Sequence, residues 1–124
     1  MIGYSTLGTN DLERACKFYD ELFKLVGASR IFDEDGFIVW SASVEACGLA
    51  ITKPFDGNEA TIGNGVMPAI RAESKAQVDE IYHKAIELGA TDEGAPGERA
   101  PGFYAGYFRD LDGNKLNAYI FDFT

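Results

Sequence analysis

Residues 2–27 read IGYSTLGTNDLERACKFYDELFKLVG, a short alternating segment followed by an amphipathic one. The alternation in Ile2–Gly8 predicts a strand. Asn10 and Glu13 then form the polar pattern of a capping box, which predicts that a helix begins there. Apolar residues recur at helical spacing up to Gly27, and glycine is the residue type that most often ends a helix. This stretch therefore predicts one strand followed by one helix.

Three more strands are predicted after this helix. They cover Ala28–Phe32, Phe37–Ala42 and Gly48–Lys53, and Asp35-Gly36 supplies the turn between the first two. The segment Pro54–Asn64 is polar and contains glycine, which is typical of a connector. The order of the first half is therefore one strand, one helix and three strands.

The same order returns in the rest of the chain. Ser74 and Gln77 repeat the capping box, and Gly89 ends the second predicted helix. Residues 91–102 are rich in glycine, proline and charge, so any strand there is expected to be short or irregular. The other strands of this half are predicted at Val66–Ala72, Phe103–Arg109 and Lys115–Phe121.

The repeated order predicts an α+β fold in which two βαβββ repeats form a curved mixed sheet around a cleft, with the helices on the outer face. We expect a single domain over residues 1–124, with a first half at about 1–53, a linker at about 54–64 and a second half at about 65–124. A half of this size buries too little apolar surface to be stable alone.

Composition limits the partners. Twenty acidic residues against eleven basic ones give a net charge of -9, which argues against nucleic acid and anionic membranes as partners. No apolar run approaches the ~20 residues of a membrane span, and the N-terminus lacks the pattern of a signal peptide. We therefore expect a cytoplasmic protein whose two cysteines, Cys16 and Cys47, are reduced thiols.

Two stretches carry a family resemblance. Leu7–Tyr19 and the closing segment YFRDLDGNKLN, residues 107–117, resemble the first strand-turn-helix and the last hairpin of the vicinal oxygen chelate superfamily. That superfamily includes glyoxalase I, bleomycin-resistance proteins, fosfomycin-resistance enzymes and extradiol dioxygenases. The last hairpin of the family commonly has proline where this chain has Leu111, and it ends in glutamate where this chain has Asn117.

Enzymes of this superfamily hold a divalent metal with four histidine or glutamate side chains. The matching positions in this chain are Tyr4, Ala50, Met67 (or Ala69) and Asn117. These side chains do not supply the imidazole and carboxylate ligands that zinc, nickel, manganese or iron(II) require, so we expect no metal and no cofactor. His83, the only histidine, is expected on the solvated face of the second helix.

The strand alternation extends this set to a predicted ligand-binding surface without a catalytic base. For the wall of the cleft, either Trp40 and Ile38 or Phe37 and Val39 fit the pattern, and we favour Trp40 because its N–H suits a partly wet edge. The predicted ligand-binding residues are Tyr4, Thr6, Trp40, Ala50, Thr52, Met67, Arg71, Tyr107, Asn117 and Tyr119.

Three functions compete at this point. The first is a metal-free, homodimeric small-molecule-binding protein that sequesters a cationic or aromatic compound, as the resemblance to bleomycin-resistance proteins implies. The second is a glyoxalase-like lyase or thiol-transferase with an atypical site. It requires either a metal held by ligands other than these four positions or a metal-free reaction in which Tyr4, Tyr107 and Arg71 donate hydrogen bonds. The third is an interaction module whose sheet face pairs with another subunit.

Overall fold

The computed structural model describes residues 1–122. The chain divides into two compact units, Met1–Gly63 and Asn64–Thr124, and the division lies inside the predicted connector at 54–64. The α+β class with two βαβββ repeats is confirmed. The assignment of residues 1–124 to one domain stays a prediction.

The first unit contains one helix and four strands, as predicted. The strands pair in the order β1-β4-β3-β2, with β1 and β4 parallel and the other pairs antiparallel. A short 3₁₀ turn, Lys24–Val26, extends the helix. The elements are β1 (Tyr4–Gly8), α1 (Leu12–Phe23), β2 (Ser29–Glu34), β3 (Phe37–Ser41) and β4 (Gly48–Thr52).

Helix α1 begins one residue later than the capping-box pattern predicts. Its N-cap is Asp11, whose carboxylate accepts a hydrogen bond from the Arg14 N–H at 3.1 Å. Asn10 instead binds the backbone of Ala60 in both directions, at 3.0 and 2.6 Å. The prediction of Asn10 as the N-cap is therefore wrong, because a long-range contact occupies its amide. The predicted end at Gly27 is confirmed by a left-handed backbone with φ 70°.

The second unit repeats the plan with the strand order β5-β8-β7-β6. Ser74 is the predicted N-cap, and its hydroxyl accepts from the Gln77 N–H at 3.0 Å. The Gln77 side chain reaches back and accepts from the Glu73 N–H at 2.7 Å. The elements are β5 (Ala69–Arg71), α2 (Lys75–Glu87), β6 (Thr91–Ala100), β7 (Phe103–Arg109) and β8 (Lys115–Phe121).

Two strands of this unit differ from the sequence pattern. Strand β5 has three residues instead of the predicted seven of Val66–Ala72, and Pro68 immediately before it has no N–H to extend the ladder. Strand β6 has ten residues, and its register against β7 shifts at three places. The predicted irregularity of residues 91–102 is confirmed, but the strand is long because each shift absorbs glycine and proline without ending the pairing.

Each unit covers one face of its sheet with its own helix. The first core joins Tyr19, Leu22 and Phe23 of α1 to Ile38, Trp40 and Ile51 of the sheet, all 4% exposed or less. The second core joins Val78, Ile81 and Ala85 of α2 to Phe108, Leu116 and Ala118 in the same way. We call the opposite surface of each sheet its helix-distal face. No helix among residues 1–122 is long and apolar enough to cross a membrane.

Candidate functional site

A pocket of about 580 Å³ lies on the helix-distal face of the first unit. Its volume falls within the range of ~300–1,000 Å³ that is usual for small-molecule sites. We call it the acidic pocket, because its charged lining residues are two carboxylates. It is lined by Tyr4, Ile31, Phe32, Glu34, Asp35, Phe37 and Val39.

The rings of the acidic pocket are arranged edge to face. Phe37 lies between Tyr4, at 5.8 Å and 82°, and Phe32, at 6.0 Å and 77° between ring planes. Phe32 and Tyr4 are about half exposed, at 47% and 56%. Aromatic rings in this geometry retain free faces and edges for a ligand. The pocket therefore presents aromatic surface to solvent.

The β2–β3 turn builds the acidic end of this pocket. Asp35 and Gly36 both have positive φ, 53° and 75°, which is the backbone of a type I′ hairpin turn. This turn pairs Glu34 directly with Phe37 across the two strands. Both carboxylates, Glu34 and Asp35, consequently lie at one end of an aromatic wall.

Trp40 does not line this surface, so its predicted placement is wrong. Its side chain is 2% exposed and packs against Tyr19 and Phe23 of α1 at 5.7 and 6.1 Å between ring centroids. The indole N–H donates to the Asp20 carboxylate at 2.9 Å. The indole N–H is therefore hydrogen-bonded to α1 and is not at a solvent-exposed edge. Strand alternation places Phe37 and Val39, not Trp40, on the helix-distal face.

Asp20 also holds Arg30. It accepts from two nitrogens of the guanidinium, at 2.9 and 2.7 Å, while a third nitrogen donates to Asp33 at 2.8 Å. The hydrogen bond from Arg30 lowers the pKa of Asp20, with a smaller contribution from Trp40. Asp20 therefore stays ionised and ties α1 to β2 and β3.

The remaining predicted residues of the first unit lie beside the acidic pocket. Thr6 pairs with Ala50 across the parallel strands, and Thr52 pairs with Phe37. The register places these side chains on the same face as Tyr4. Ala50 is fully buried, whereas Thr6 is exposed. Tyr4 belongs to the pocket lining, whereas Thr6, Ala50 and Thr52 do not.

Basic side chains gather on the helix-distal face of the second unit. Arg99 and Lys115 each lie 5.4 Å from the centroid of the Tyr107 ring. Arg71 pairs with Tyr119 across β5 and β8, and both line a pocket of about 560 Å³ together with Glu73 and Phe121. We call the surface formed by Arg71, Arg99, Tyr107, Lys115, Asn117 and Tyr119 the basic face.

Asn117 lies at the centre of the basic face. It pairs with Tyr107 on one side and with Ala69 on the other. Its side chain is 2% exposed, and its Oδ1 atom is buried with no hydrogen-bond partner among the described residues. An unpartnered buried carbonyl oxygen costs about 1–3 kcal/mol, which makes it a ready acceptor for a ligand donor.

Met67 lies before β5 and is 39% exposed. The register places Ala69, not Met67, opposite Asn117. The alternative Ala69 therefore describes the neighbour of Asn117 better, although the role of Met67 in ligand binding stays a prediction.

The family's metal does not fit these side chains. Tyr4, Ala50, Ala69 and Asn117 offer a phenol, two methyl groups and one amide, which is not a ligand set for a hard or borderline cation. Within residues 1–122, no group of three or more His, Cys, Asp or Glu side chains is placed to hold a metal ion. His83 is exposed on α2.

A family model described as the Glyoxalase/Bleomycin resistance protein/Dioxygenase superfamily matches residues 1–118. The chain belongs to this superfamily. The resemblance of residues 7–19 and 107–117 is thereby confirmed, and it extends over nearly the whole chain. No curated protein matches the sequence significantly.

Solved structures agree with this membership. A glyoxalase/bleomycin resistance protein from Albidiferax ferrireducens T118 is 35% identical, covering 96% of this chain and 97% of that chain, with a TM-score of 0.88. A glyoxalase/bleomycin resistance protein/dioxygenase family enzyme from Burkholderia phytofirmans PsJN is 19% identical, covering 94% and 95%, with a TM-score of 0.74. Lactoylglutathione lyase from Agrobacterium tumefaciens is 21% identical, covering 96% and 92%, with a TM-score of 0.68. The last two support the fold alone.

The sequence does not predict four of the seven lining residues of the acidic pocket, Ile31, Phe32, Glu34 and Asp35. Ile31 and Phe32 lie on β2, where a register shift between Arg30 and Phe32 changes the alternation. Glu34 precedes the Asp35-Gly36 turn, and the turn pattern alone predicts a connection and not a binding residue. The available signal was the hairpin itself, since a type I′ turn fixes Glu34 opposite Phe37.

Proposed function

We propose that this superfamily member is a metal-free small-molecule-binding protein that sequesters a cationic aromatic compound in the acidic pocket. The observation that carries the proposal is the combination of three edge-to-face rings with two carboxylates and no basic residue in the pocket lining. Such a lining favours a ligand that is both flat and positively charged.

Two forces select that ligand. A cation over an aromatic face gains about 0.5–2 kcal/mol from the ring quadrupole. Glu34 and Asp35 add a Coulombic attraction that weakens as salt rises, because both carboxylates are exposed. A neutral aromatic compound gains only the apolar contact, and an anionic one is repelled.

The proposal includes a homodimer in the cytoplasm. Exposed apolar side chains support a second copy as a partner: Ile2, Val44, Phe55 and Ile62 are each more than half exposed. Large apolar side chains that are this exposed gain free energy when a second copy covers them. Both cysteines are free, Cys16 buried and Cys47 exposed, as expected for a reducing compartment. Light scattering at micromolar concentration tests the dimer.

The experiment is a calorimetric titration with three compounds of similar shape. We expect 1-methylquinolinium, a cation, to bind more tightly than neutral quinoline by about tenfold, and anionic 2-naphthoate to bind the acidic pocket least. Phe32→Ala and Glu34→Gln should each weaken the binding of 1-methylquinolinium. Glu45→Gln, which removes an exposed carboxylate outside the pocket lining, is the matched control. Equal affinity for cation and neutral compound would refute the proposal.

The alternative is a glyoxalase-like lyase or thiol-transferase with an atypical site. It predicts turnover of the methylglyoxal–glutathione hemithioacetal when nickel, zinc or manganese is added. Stoichiometric, tightly held metal together with turnover would replace the binding proposal by this one. Binding of 1-methylquinolinium without turnover under any metal would support sequestration.

A further inference from the structure

Strand β2 forms an open edge of the first sheet. It ends the strand order β1-β4-β3-β2, and all six of its residues are exposed. Within residues 1–122, β3 is the only strand that pairs with it. The outer N–H and C=O groups of such an edge are available to a strand of another chain.

The backbone of β2 offers two positions for such pairing. The Gly36 carbonyl, directly before β3, accepts at 3.4 Å from the N–H of the residue that follows β4. Because the backbone groups of an antiparallel strand alternate in direction, those of Ile38 and Trp40 also face β4. Their partners in β2 are Asp33 and Arg30 respectively. The backbone groups of Asp33 and Arg30 therefore point away from β3, towards the open edge.

The two charged side chains at these positions lie on the same face of the sheet. Residues three apart in a regular strand point to opposite faces. The register of β2 shifts between Arg30 and Phe32, and Arg30 consequently reaches Asp33 at 2.8 Å. Arg30 also binds Asp20 of α1, so both charges lie on the helix side. Ile31 and Phe32, between them in sequence, line the acidic pocket on the other face.

This arrangement makes the edge complementary to a second copy of itself. Two antiparallel β2 strands can place Ile31 opposite Phe32 of the second copy. Arg30 then lies opposite Asp33 of the second copy, and a two-fold axis repeats both pairs. Opposite charges and apolar side chains each attract when they lie directly across a strand pair. A register one residue away in either direction places a charged side chain opposite an apolar one.

We propose that two copies of this chain associate through β2, with the two strands antiparallel and Arg30 of each copy opposite Asp33 of the other. The proposal rests on the homodimer of the proposed function and names its interface. The outward backbone groups of Arg30 and Asp33 exchange hydrogen bonds between the copies, so the two four-stranded sheets become one continuous sheet. Such an interface uses the same surface on both copies and closes as a dimer.

The competing interface consists of exposed apolar side chains outside β2. Val44 lies between β3 and β4, and Phe55 lies in the segment after β4. A dimer formed through these side chains does not depend on Asp33. Substitutions at Asp33 and at Phe55 therefore distinguish the two interfaces.

Sedimentation equilibrium of the full chain measures the dissociation constant of the dimer. Asp33→Lys places like charges opposite each other in both pairs and should raise this constant by at least about tenfold. Asp33→Pro removes an outward N–H that pairing with β3 does not use, and it should raise the constant by about tenfold as well. Glu80→Lys makes the same change of charge at an exposed position of α2 and should leave the constant unchanged. Circular dichroism checks that each variant is folded.

The proposal fails if Glu80→Lys raises the dissociation constant as much as Asp33→Lys does, because net charge alone would then govern association. It also fails if Phe55→Ser dissociates the dimer and the two Asp33 variants do not. The homodimer would then stand with another interface. A wild-type chain that stays monomeric at micromolar concentration would overturn both the interface and the homodimer, whereas titration of that monomer with 1-methylquinolinium still tests the acidic pocket.

Discussion

The two halves of this chain share an order of elements and differ in the charge of their helix-distal faces. The acidic pocket combines Tyr4, Phe32 and Phe37 with carboxylates. The basic face combines Tyr107 and Tyr119 with cationic side chains. Both faces use aromatic residues at alternating strand positions, so the fold supplies the rings, and the charged neighbours set the chemistry.

The helix-facing sides differ much less. Each half ties its helix to its sheet through a carboxylate that accepts from an aromatic donor. In the first half, Asp20 of α1 accepts from Trp40 of β3. In the second half, Asp79 of α2 accepts from Tyr104 of β7 at 2.6 Å, and Tyr82 of α2 donates to Asp92 of β6 at 2.6 Å. The comparison indicates that packing constrains the helix side and leaves the distal side open to change.

Truncating one aromatic residue on each side of the first sheet tests this division most strongly. Trp40→Ala should lower the free energy of unfolding by about 3–5 kcal/mol, because it leaves a large cavity against α1. Phe32→Ala removes a ring that is 47% exposed and should cost less than about 1.5 kcal/mol. Urea unfolding measures both. Equal losses would contradict the assignment of the two rings to opposite faces.

The two carboxylates that bind Arg30 give a finer test of the contact between α1 and its sheet. Asp20→Ala leaves the buried Trp40 N–H without its acceptor and should cost about 1–3 kcal/mol. Asp33→Ala breaks only an exposed ion pair with Arg30 and should cost about 0–1 kcal/mol. Thermal unfolding of the two variants compares them directly. If Asp33→Ala were the more damaging change, Trp40 would not depend on Asp20.

Much of the fold was predictable because its signals are local. The Asp35-Gly36 turn and the cap at Ser74 each need only neighbouring residues, and both are as predicted. The predictions for Asn10 and Trp40 are wrong because each side chain binds a residue far along the chain, Ala60 and Asp20 respectively. No local sequence pattern indicates a hydrogen-bond partner that is distant along the chain.

The candidate site was less predictable for the same reason. The resemblance identified Tyr4 and Asn117, since they match family positions. The opposite charges of the acidic pocket and the basic face depend instead on strand register, which pairs Glu34 with Phe37 and Arg71 with Tyr119. A register shift of one residue moves a side chain to the other face of the sheet, so these pairings require a structure.

Alkaline pH should distinguish the helix–sheet hydrogen bonds of the two halves. Only the second half uses tyrosine as the donor, whereas the first uses Trp40. Donation to Asp92 raises the pKa of Tyr82 to about 12. A raised pKa in the folded state gives stability that is complete below the unfolded value near 10 and is lost as the pH rises towards 12. Tyr82→Phe should therefore cost about 1–2 kcal/mol at pH 8 and progressively less above pH 10.

The measurement is urea unfolding of wild type and Tyr82→Phe across this pH range. Trp40→Phe provides the control, since it removes the indole donor to Asp20, and neither the indole nor the carboxylate ionises between pH 8 and 12. A cost of Tyr82→Phe that stayed constant with pH would show that the Tyr82–Asp92 contact does not titrate as a hydrogen-bonded pair.

The smallest expected effect concerns Asn117 itself. Its buried oxygen has no hydrogen-bond partner within residues 1–122, so Asn117→Leu exchanges an unsatisfied amide for an apolar side chain of similar size and should stabilise the protein by about 0–1 kcal/mol. Asn114→Leu is the matched comparison, because Asn114 donates to the buried Asp110 carboxylate at 3.0 Å and its loss should destabilise the β7–β8 turn. Destabilisation by Asn117→Leu would mean that the amide has a structural partner in the folded protein, and the basic face would then lose its acceptor for a ligand.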